Sequence, residues 1–287
     1  MAEVWLGDTL VGDGHLCYVV AEIGINHNGS IDLAKELIAV AKAAGCDAVK
    51  FQKRTLEIVY TPEEMLRPRE SPFGTTNGHL KHGLEFGLRE YREIDRYCQE
   101  LKIPWTASCW DEPSVDFIAK FNVPFFKVAS ASLTDDNLLL HTRAAKRPVV
   151  LSTGMSTLGQ VDHAVEVLRS KDLVLMHTMS AYPAYYDELN LRTIPMLKDR
   201  YAVPVGYSGH ETGLPSSAAA VALGACMVER HITTDRSLWG SDHAASLEPN
   251  GLAKLVRDIR IVERALGDGV KKVRPREEPV IKKLRRI

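Results

Sequence analysis

Eight short apolar runs, each followed by a longer stretch of helical period, recur along this chain of 287 residues and constrain its fold more than any other feature. The runs fall at residues 17–23, 47–51, 104–108, 124–129, 148–152, 173–177, 203–207 and 226–231, and many begin just after Pro, Gly-Cys or Lys-Arg-Pro. Strands alternating with helices in this way are repeated βα units on a parallel sheet. Eight of them close into a (β/α)8 TIM barrel of the α/β class, whereas a doubly wound sheet normally uses fewer. A single barrel domain is therefore expected over residues 1–270, opened by a short hairpin near 4–14 and followed by a basic tail at 271–287.

Helix signals agree with that layout. Ser30-Ile-Asp opens an apolar-periodic run to Ala44 with Gly45 as its stop, and Ser156-Thr-Leu-Gly-Gln160 leads into residues 161–168. Residues 55–86 interrupt the pattern. They are rich in Pro, Gly, Asn, Thr and charge and too long for an ordinary βα loop, so they read as a loop serving as lid or substrate cover. From Arg274 the chain turns basic and reads as a solvated tail or docking arm without a further folded segment.

Composition narrows the partners. A net charge of −1 creates no global field for nucleic acid or a membrane, so any anion must be read by local clusters and the substrate is expected to be small. No stretch approaches the ~20 apolar residues of a membrane span. Cys17, Cys46, Cys98, Cys109 and Cys226 are odd in number, form no CxxC pair and follow no secretory leader, which fits free thiols and a cytoplasmic location.

In barrels the chemistry sits at the C-terminal ends of the strands. The polar residues there are Glu22; Lys50 and Gln52; Ser108; Lys127 and Ser130; Ser152; Ser180 and Tyr182; Ser208 and His210; and Glu229 and His231. Lys50 and Lys127 lie inside apolar runs, where an unpaired ammonium costs several kcal/mol, so each requires an anion. A core carboxylate such as Glu22 or Glu229 would serve, but two lysines beside several serines favour a bound phosphate-carboxylate; a Schiff-base lysine is a third reading. His210 and His231 occupy the same post-strand position on the seventh and eighth strands, which lets two ring nitrogens share one divalent cation with positions left open. Asp242, in Gly240-Ser-Asp-His243, can reach over such a metal or simply form a turn. Cys109 reads as a soft third ligand or an ordinary buried thiol, and His27, His177 and His243 as hydrogen-bonding residues rather than ligands.

Taken in order, Ala21-Glu-Ile-Gly-Ile-Asn-His-Asn-Gly29, Ala48-Val-Lys-Phe-Gln52, Leu151-Ser-Thr-Gly-Met155, Tyr182-Pro183, Gly206-Tyr-Ser-Gly-His210, Glu229-Arg-His-Ile-Thr233, Gly240-Ser-Asp-His243 and Ala245-Ser-Leu-Glu-Pro249 resemble the sialic acid synthase family. These are barrel enzymes that condense phosphoenolpyruvate with an N-acylated amino sugar aldehyde such as N-acetylmannosamine. The resemblance implies that Lys50, Ser108, Lys127, Ser130, Ser152 and Ser208 hold phosphoenolpyruvate and that His210 and His231 bind Mn²⁺ or Mg²⁺. It further implies that Glu22 holds or activates water, that Asp242 lies near the metal water and the sugar, and that Gln52, Tyr182 and Asn77 line the sugar pocket. A homodimer is the family's habit.

Three departures accompany the resemblance. The family usually continues into an antifreeze-like C-terminal domain, and this chain stops where that domain should start. An acid after the fourth strand is replaced within Ala129-Ser-Ala-Ser132, and the family's Ser-Asp-His and Cys-Thr-Asn are here Ser208-Gly-His210 and Thr178-Met-Ser180. The acceptor is thereby left open between an N-acylated amino sugar, a phosphorylated aldose and a non-sugar aldehyde, with a silent scaffold barrel as the non-enzyme alternative.

Overall fold

A computed structural model describes residues 2–286 and closes eight parallel strands into a barrel. The hairpin β1 (Glu3–Leu6) and β2 (Thr9–Gly12) comes first, then β3 (Tyr18–Gly24) and β4 (Ala48–Lys53). A second hairpin, β5 (Pro68–Ser71) and β6 (Gly74–Thr76), precedes β7 (Trp105–Cys109), β8 (Phe126–Val128), β9 (Val149–Ser152), β10 (Leu173–Thr178), β11 (Val205–Gly209) and β12 (Met227–His231). Around the barrel the order is β3, β4, β7, β8, β9, β10, β11, β12 and back to β3. Each strand lands within two residues of its apolar run.

Side chains on a strand alternate between barrel interior and helix layer, and the two sets have different chemistry. Outward, Val19, Ala21, Ile23, Val49 and Phe51 pack against Ala34, Leu37, Ile38 and Ala41 of the helix Ile31–Ala44. Inward, the lower positions Tyr18, Val20, Ala48, Phe125, Val150, Val174 and Met227 form an apolar layer with Val4, Leu6 and Val11 of the hairpin, which closes that end. One inward step further along the same strands come Glu22, Lys50, Lys127, Ser152 and Glu229, so polarity is delivered to one mouth by strand period alone. Gly206 belongs to the lower layer for want of room: a Cβ there would sit 2.5 Å from Met176 Sδ and 2.8 Å from Met227 Cβ.

The outer helices begin and end where their caps dictate. Ser30 Oγ accepts from Leu33 N (3.3 Å), and Gly45 takes the left-handed conformation (φ 84°) that ends the helix. Thr157 and Gln160 form a reciprocal capping box on the helix Leu158–Leu168.

Two expectations need correction. Residues 55–86 are not a structureless loop: they fold into the helices Leu56–Val59, Pro62–Leu66 and Asn77–Leu84 around the β5–β6 hairpin. Thr61 and Glu64 form a capping box with Pro62 at the first helical position, and Thr76 caps the last helix. The segment is moored to the barrel by Glu85, whose Oε1 accepts from Lys53 Nζ (2.7 Å) and Arg54 N (3.0 Å), and by Phe86 stacked on His27 at 3.9 Å. The basic tail likewise carries a 3-10 turn, Pro275–Glu277, and an exposed helix, Glu278–Leu284. Among the described residues no helix is long and apolar enough to cross a membrane.

Closure by the hairpin predicts that Leu6→Ala lowers unfolding free energy by about 2–5 kcal/mol. Urea denaturation should show this with turnover per folded molecule retained; a wild-type midpoint would mean the hairpin does not seal the core.

Candidate active site

Glu22, Lys50, Glu229 and Lys127 come from β3, β4, β12 and β8 and meet inside the upper barrel as a row of alternating charge. Lys50 Nζ lies 2.8 Å from Glu22 Oε2, a close ion pair without hydrogen-bond alignment, and 3.5 Å from Glu229 Oε1. Lys127 Nζ donates to both oxygens of Glu229 at 3.3 Å. Hydroxyls complete the shell: Lys50 Nζ donates to Ser108 Oγ (2.8 Å) and Ser208 Oγ to Glu229 Oε1 (3.2 Å). Gln52 Nε2 donates to Glu22 Oε1 at 3.3 Å. The anions required by the two lysines are thus supplied by the chain itself, the pairing that the sequence left second to a bound phosphate-carboxylate.

Burial acts on every member, and the neighbours decide the outcome. Glu22 is raised well above an ordinary carboxyl, first by burial and then by the Glu229 charge, against the opposing pull of Lys50. For Glu229, Lys127 and Lys50 overcome burial and hold the carboxyl below its usual range. Lys127 is lowered, chiefly by burial, whereas two flanking carboxylates keep Lys50 raised in spite of it. Glu22 is consequently the group able to hold and release a proton near neutrality.

The two histidines stand beside this row. Their ring centroids are 5.5 Å apart. Burial first, then the neighbouring His231, lowers His210 to about 3, and burial also lowers His231, so both imidazoles are neutral. His210 Nδ1 donates to Met179 O (2.7 Å), which leaves Nε2 as an acceptor for the Tyr182 hydroxyl at 2.9 Å. His231 Nδ1 is buried without a hydrogen-bond partner among the described residues and lies 3.9 Å from Asp242 Oδ2. Asn26 and Asn28 hold the Asp242 loop. Asn26 Nδ2 donates to Ile232 O and Ser246 Oγ, each at 2.8 Å, and Asn28 Nδ2 to Trp239 O at 2.8 Å.

A cavity of about 190 Å³ occupies the mouth. Glu22, Lys50, Gln52, Ser108, Lys127, Ser130, Ser152, Tyr182, Ser208, His210 and His231 all line it, with Asp242 at its margin. Asn77 is not brought there: it starts a helix in the 55–86 segment and donates to Glu64 O at 3.2 Å, and no residue of that segment lines the cavity. A larger groove of about 880 Å³ runs along the hairpin at the opposite end. The smaller cavity is the candidate because the convergent polar groups are there and barrels work from that face.

The sequence offered Glu229 only as a possible partner of the lysines and did not assign Trp110 or Met155 to the site, although all three line the cavity. Glu229 had the signal, a charge in an apolar run two residues before His231; Trp110 directly follows β7. Cys109 is excluded as a ligand, since burial pushes its thiol far up and it faces the carbonyls of Ala107 and Ser114. His27, His177 and His243 have hydrogen-bond partners in Gly29 N, Leu189 O and Thr233 Oγ1.

If the row is self-neutralising, Glu229→Gln strands a buried ammonium and costs about 3–5 kcal/mol. Adding Lys127→Met should recover a good part of that loss in urea unfolding; strictly additive losses would show that the two groups do not compensate each other.

Comparison with known proteins places this geometry. The NeuB family model matches residues 37–271. Over 279 residues the chain is 44% identical to N-acetylneuraminate-9-phosphate synthase of Homo sapiens, covering 96% of this chain and 78% of that protein. It is 36% identical over 285 residues to N,N'-diacetyllegionaminic acid synthase of Legionella pneumophila, covering 96% and 80%. The crystal structure of N-acetylneuraminic acid synthetase from Leptospira borgpetersenii, a complex with citrate, superposes with a TM-score of 0.87 at 30% identity, covering 98% of this chain and 95% of that one. The chain belongs to the NeuB family and is an enzyme of the sialic acid synthase type.

Proposed function

We propose that the chain condenses phosphoenolpyruvate with an N-acylated amino sugar aldehyde, giving a 3-deoxy-2-keto acid of the sialic type and phosphate. The observation that carries this reading is the convergence of two buried ammonium groups and five serine hydroxyls with two neutral imidazoles in one cavity. Lys50 and Lys127, with Ser108, Ser130, Ser152 and Ser208, receive the phosphate and carboxylate, taking the place of contacts now made by Glu22 and Glu229. Gln52 and Tyr182 are assigned to the sugar. The names of the human and Legionella relatives describe different products of one type of synthesis, as expected if the charged floor is shared and the rim varies.

The donors at the rim fit a divalent cation. Neutral imidazole is the ligating form; His231 Nδ1 lacks a partner among the described residues, and His210 Nε2 has a displaceable tyrosine hydroxyl. Among the described residues no group of three or more His, Cys, Asp or Glu is arranged to hold a metal, so His210 and His231 would share the ion with substrate and water. Imidazole suits Mn²⁺ better than the harder Mg²⁺. Such an ion, when bound, supplies a Lewis acid for the aldehyde oxygen.

The remaining chemistry falls to side chains. C3 of the enol attacks the aldehyde carbon, the aldehyde oxygen takes the proton that Glu22 holds, and C2 becomes electron-poor. Glu22, now a carboxylate, takes a proton from water as the water oxygen bonds to C2, with Asp242 beside His231 as the other acid able to orient that water. The new C2 hydroxyl then passes its proton to the departing phosphate, the C2–O bond to phosphate breaks, and the ketone forms while Lys50 and Lys127 hold the phosphate. We assign this chemistry to the barrel of residues 1–270, with 271–287 as an appended arm, and place the enzyme in the cytoplasm, where five free, buried cysteines stay reduced.

A second acceptor is favoured by one observation: the human relative is named for a 9-phosphate product. Phosphoenolpyruvate contributes three carbons, so a phosphate on carbon 9 descends from carbon 6 of a hexosamine. Phosphate release with N-acetylmannosamine and with its 6-phosphate separates the two, and release with neither, across a panel of aldehydes, would overturn the assignment.

Removal of single groups tests the roles. Lys127→Ala should raise the KM for phosphoenolpyruvate by about 10–100-fold, the worth of a charged hydrogen bond; a change confined to the sugar KM would contradict the cradle. His210→Ala should reduce metal-dependent turnover by a factor on the order of 10²–10³ with an unaltered circular dichroism spectrum. Full activity in that variant would remove the histidine from the site.

A further inference from the structure

The β11–β12 ladder ends at the pair Gly209↔Arg230, one residue short of both His210 and His231. The two imidazoles therefore sit just where backbone pairing between their own strands stops. On the helix-facing side of the wall, Arg230 and Glu211 make an ion pair, Nη1 to Oε1 at 3.1 Å, with side-chain exposures of 1% and 0%. Each follows or precedes a histidine directly in sequence, so the pair bridges the strands at the level the ladder no longer reaches.

The bridge is built rather than incidental. Arg230 Nη1 also lies 2.8 Å from Ser217 Oγ and 2.9 Å from Gly213 O, and Nη2 donates to the Glu211 carbonyl. Glu211 in turn accepts from the Tyr207 hydroxyl (2.8 Å) and from Ser216 Oγ. Gly209 makes room: a Cβ there would meet Glu211 Oε2 at 2.7 Å, Tyr207 Cε1 at 2.8 Å and Arg230 Cδ at 3.0 Å. One planar cation thus holds the Glu211 carboxylate through Nη1 and its backbone carbonyl through Nη2, which fixes both distance and angle as a lysine in the same place does not.

We infer that the buried Arg230–Glu211 pair is a positioning device that sets the separation of His210 and His231, and with it the affinity of the site for a divalent cation. The inference rests on the proposed metal role of the two histidines. Neither Arg230 nor Glu211 touches substrate or metal; they act through the backbone of the residues beside them, as outer groups do in metal sites generally.

Titration of metal-free protein with Mn²⁺, followed by calorimetry, is the test, with ¹⁵N spectra of the histidine rings recorded before metal is added. Wild-type protein should bind Mn²⁺, and His210→Ala should not; failure of either sinks the metal reading itself. Given that result, Glu211→Gln and Arg230→Lys should each weaken Mn²⁺ binding about 10–100-fold and shift or broaden the ring signals of both histidines without metal. Folded variants with wild-type affinity and wild-type ring spectra would overturn the inference, leaving the pair as a fold element alone. Should both fail to fold, Tyr207→Phe and Ser216→Ala, which each remove one hydrogen bond to Glu211, decide it: weaker Mn²⁺ binding supports the device and unchanged binding refutes it.

Discussion

Glu22, Lys50, Glu229 and Lys127 are each at most 4% exposed, at a depth where one isolated ammonium or carboxylate costs several kcal/mol. They are tolerable together because their charges alternate, and they alternate because four different strands each deliver one at the same level. The barrel supplies that level. Its inward positions are apolar below and polar above, so the charged tier has a dry floor and an open ceiling. Removing any one group exposes its neighbour's charge, which makes the tier a cooperative unit rather than a set of separate residues.

An anionic substrate entering this tier meets cations already neutralised. Binding is then an exchange of carboxylate for ligand rather than a simple capture, and the ligand's contribution is what remains after the Glu22 and Glu229 contacts are loosened. Such a site is costly to leave half-filled and selective for ligands that satisfy both lysines at once. The raised Glu22 fits this picture: as the lysines turn toward a ligand, the carboxyl loses the partner that favours its charged form and its hold on a proton strengthens.

Much of this was legible from residue order. Parallel strands buried on both faces read as continuous apolar runs, and such runs with Pro and Gly punctuation located all eight strands. The same period placed Lys50, Lys127, His210 and His231 at strand ends, and the structure brings them to one cavity. Segment 55–86 was obscure because its helices are short and mostly polar; the Thr61–Glu64 capping box with Pro62 was its clearest local sign. The tail helix was hidden by the same shortness. Asn77 lies outside the lining of the cavity, and chain connectivity does not say which way an insertion leans. Residue order offered Glu22 and Glu229 as partners of the lysines but could not decide for them, since the two lie 207 positions apart and meet through barrel closure alone.

The hairpin at the foot of the barrel has a kinetic consequence. Val4, Leu6 and Val11 fill the lower end, so among the described residues the interior is closed at the rear. Whatever settles among the lysines departs along its route of entry, past Tyr182 and Met155, which are 48% and 68% exposed at the rim. In the proposed reaction a bulky product resting on that rim would cork the vessel and keep the small anion beneath it captive until the cork lifts.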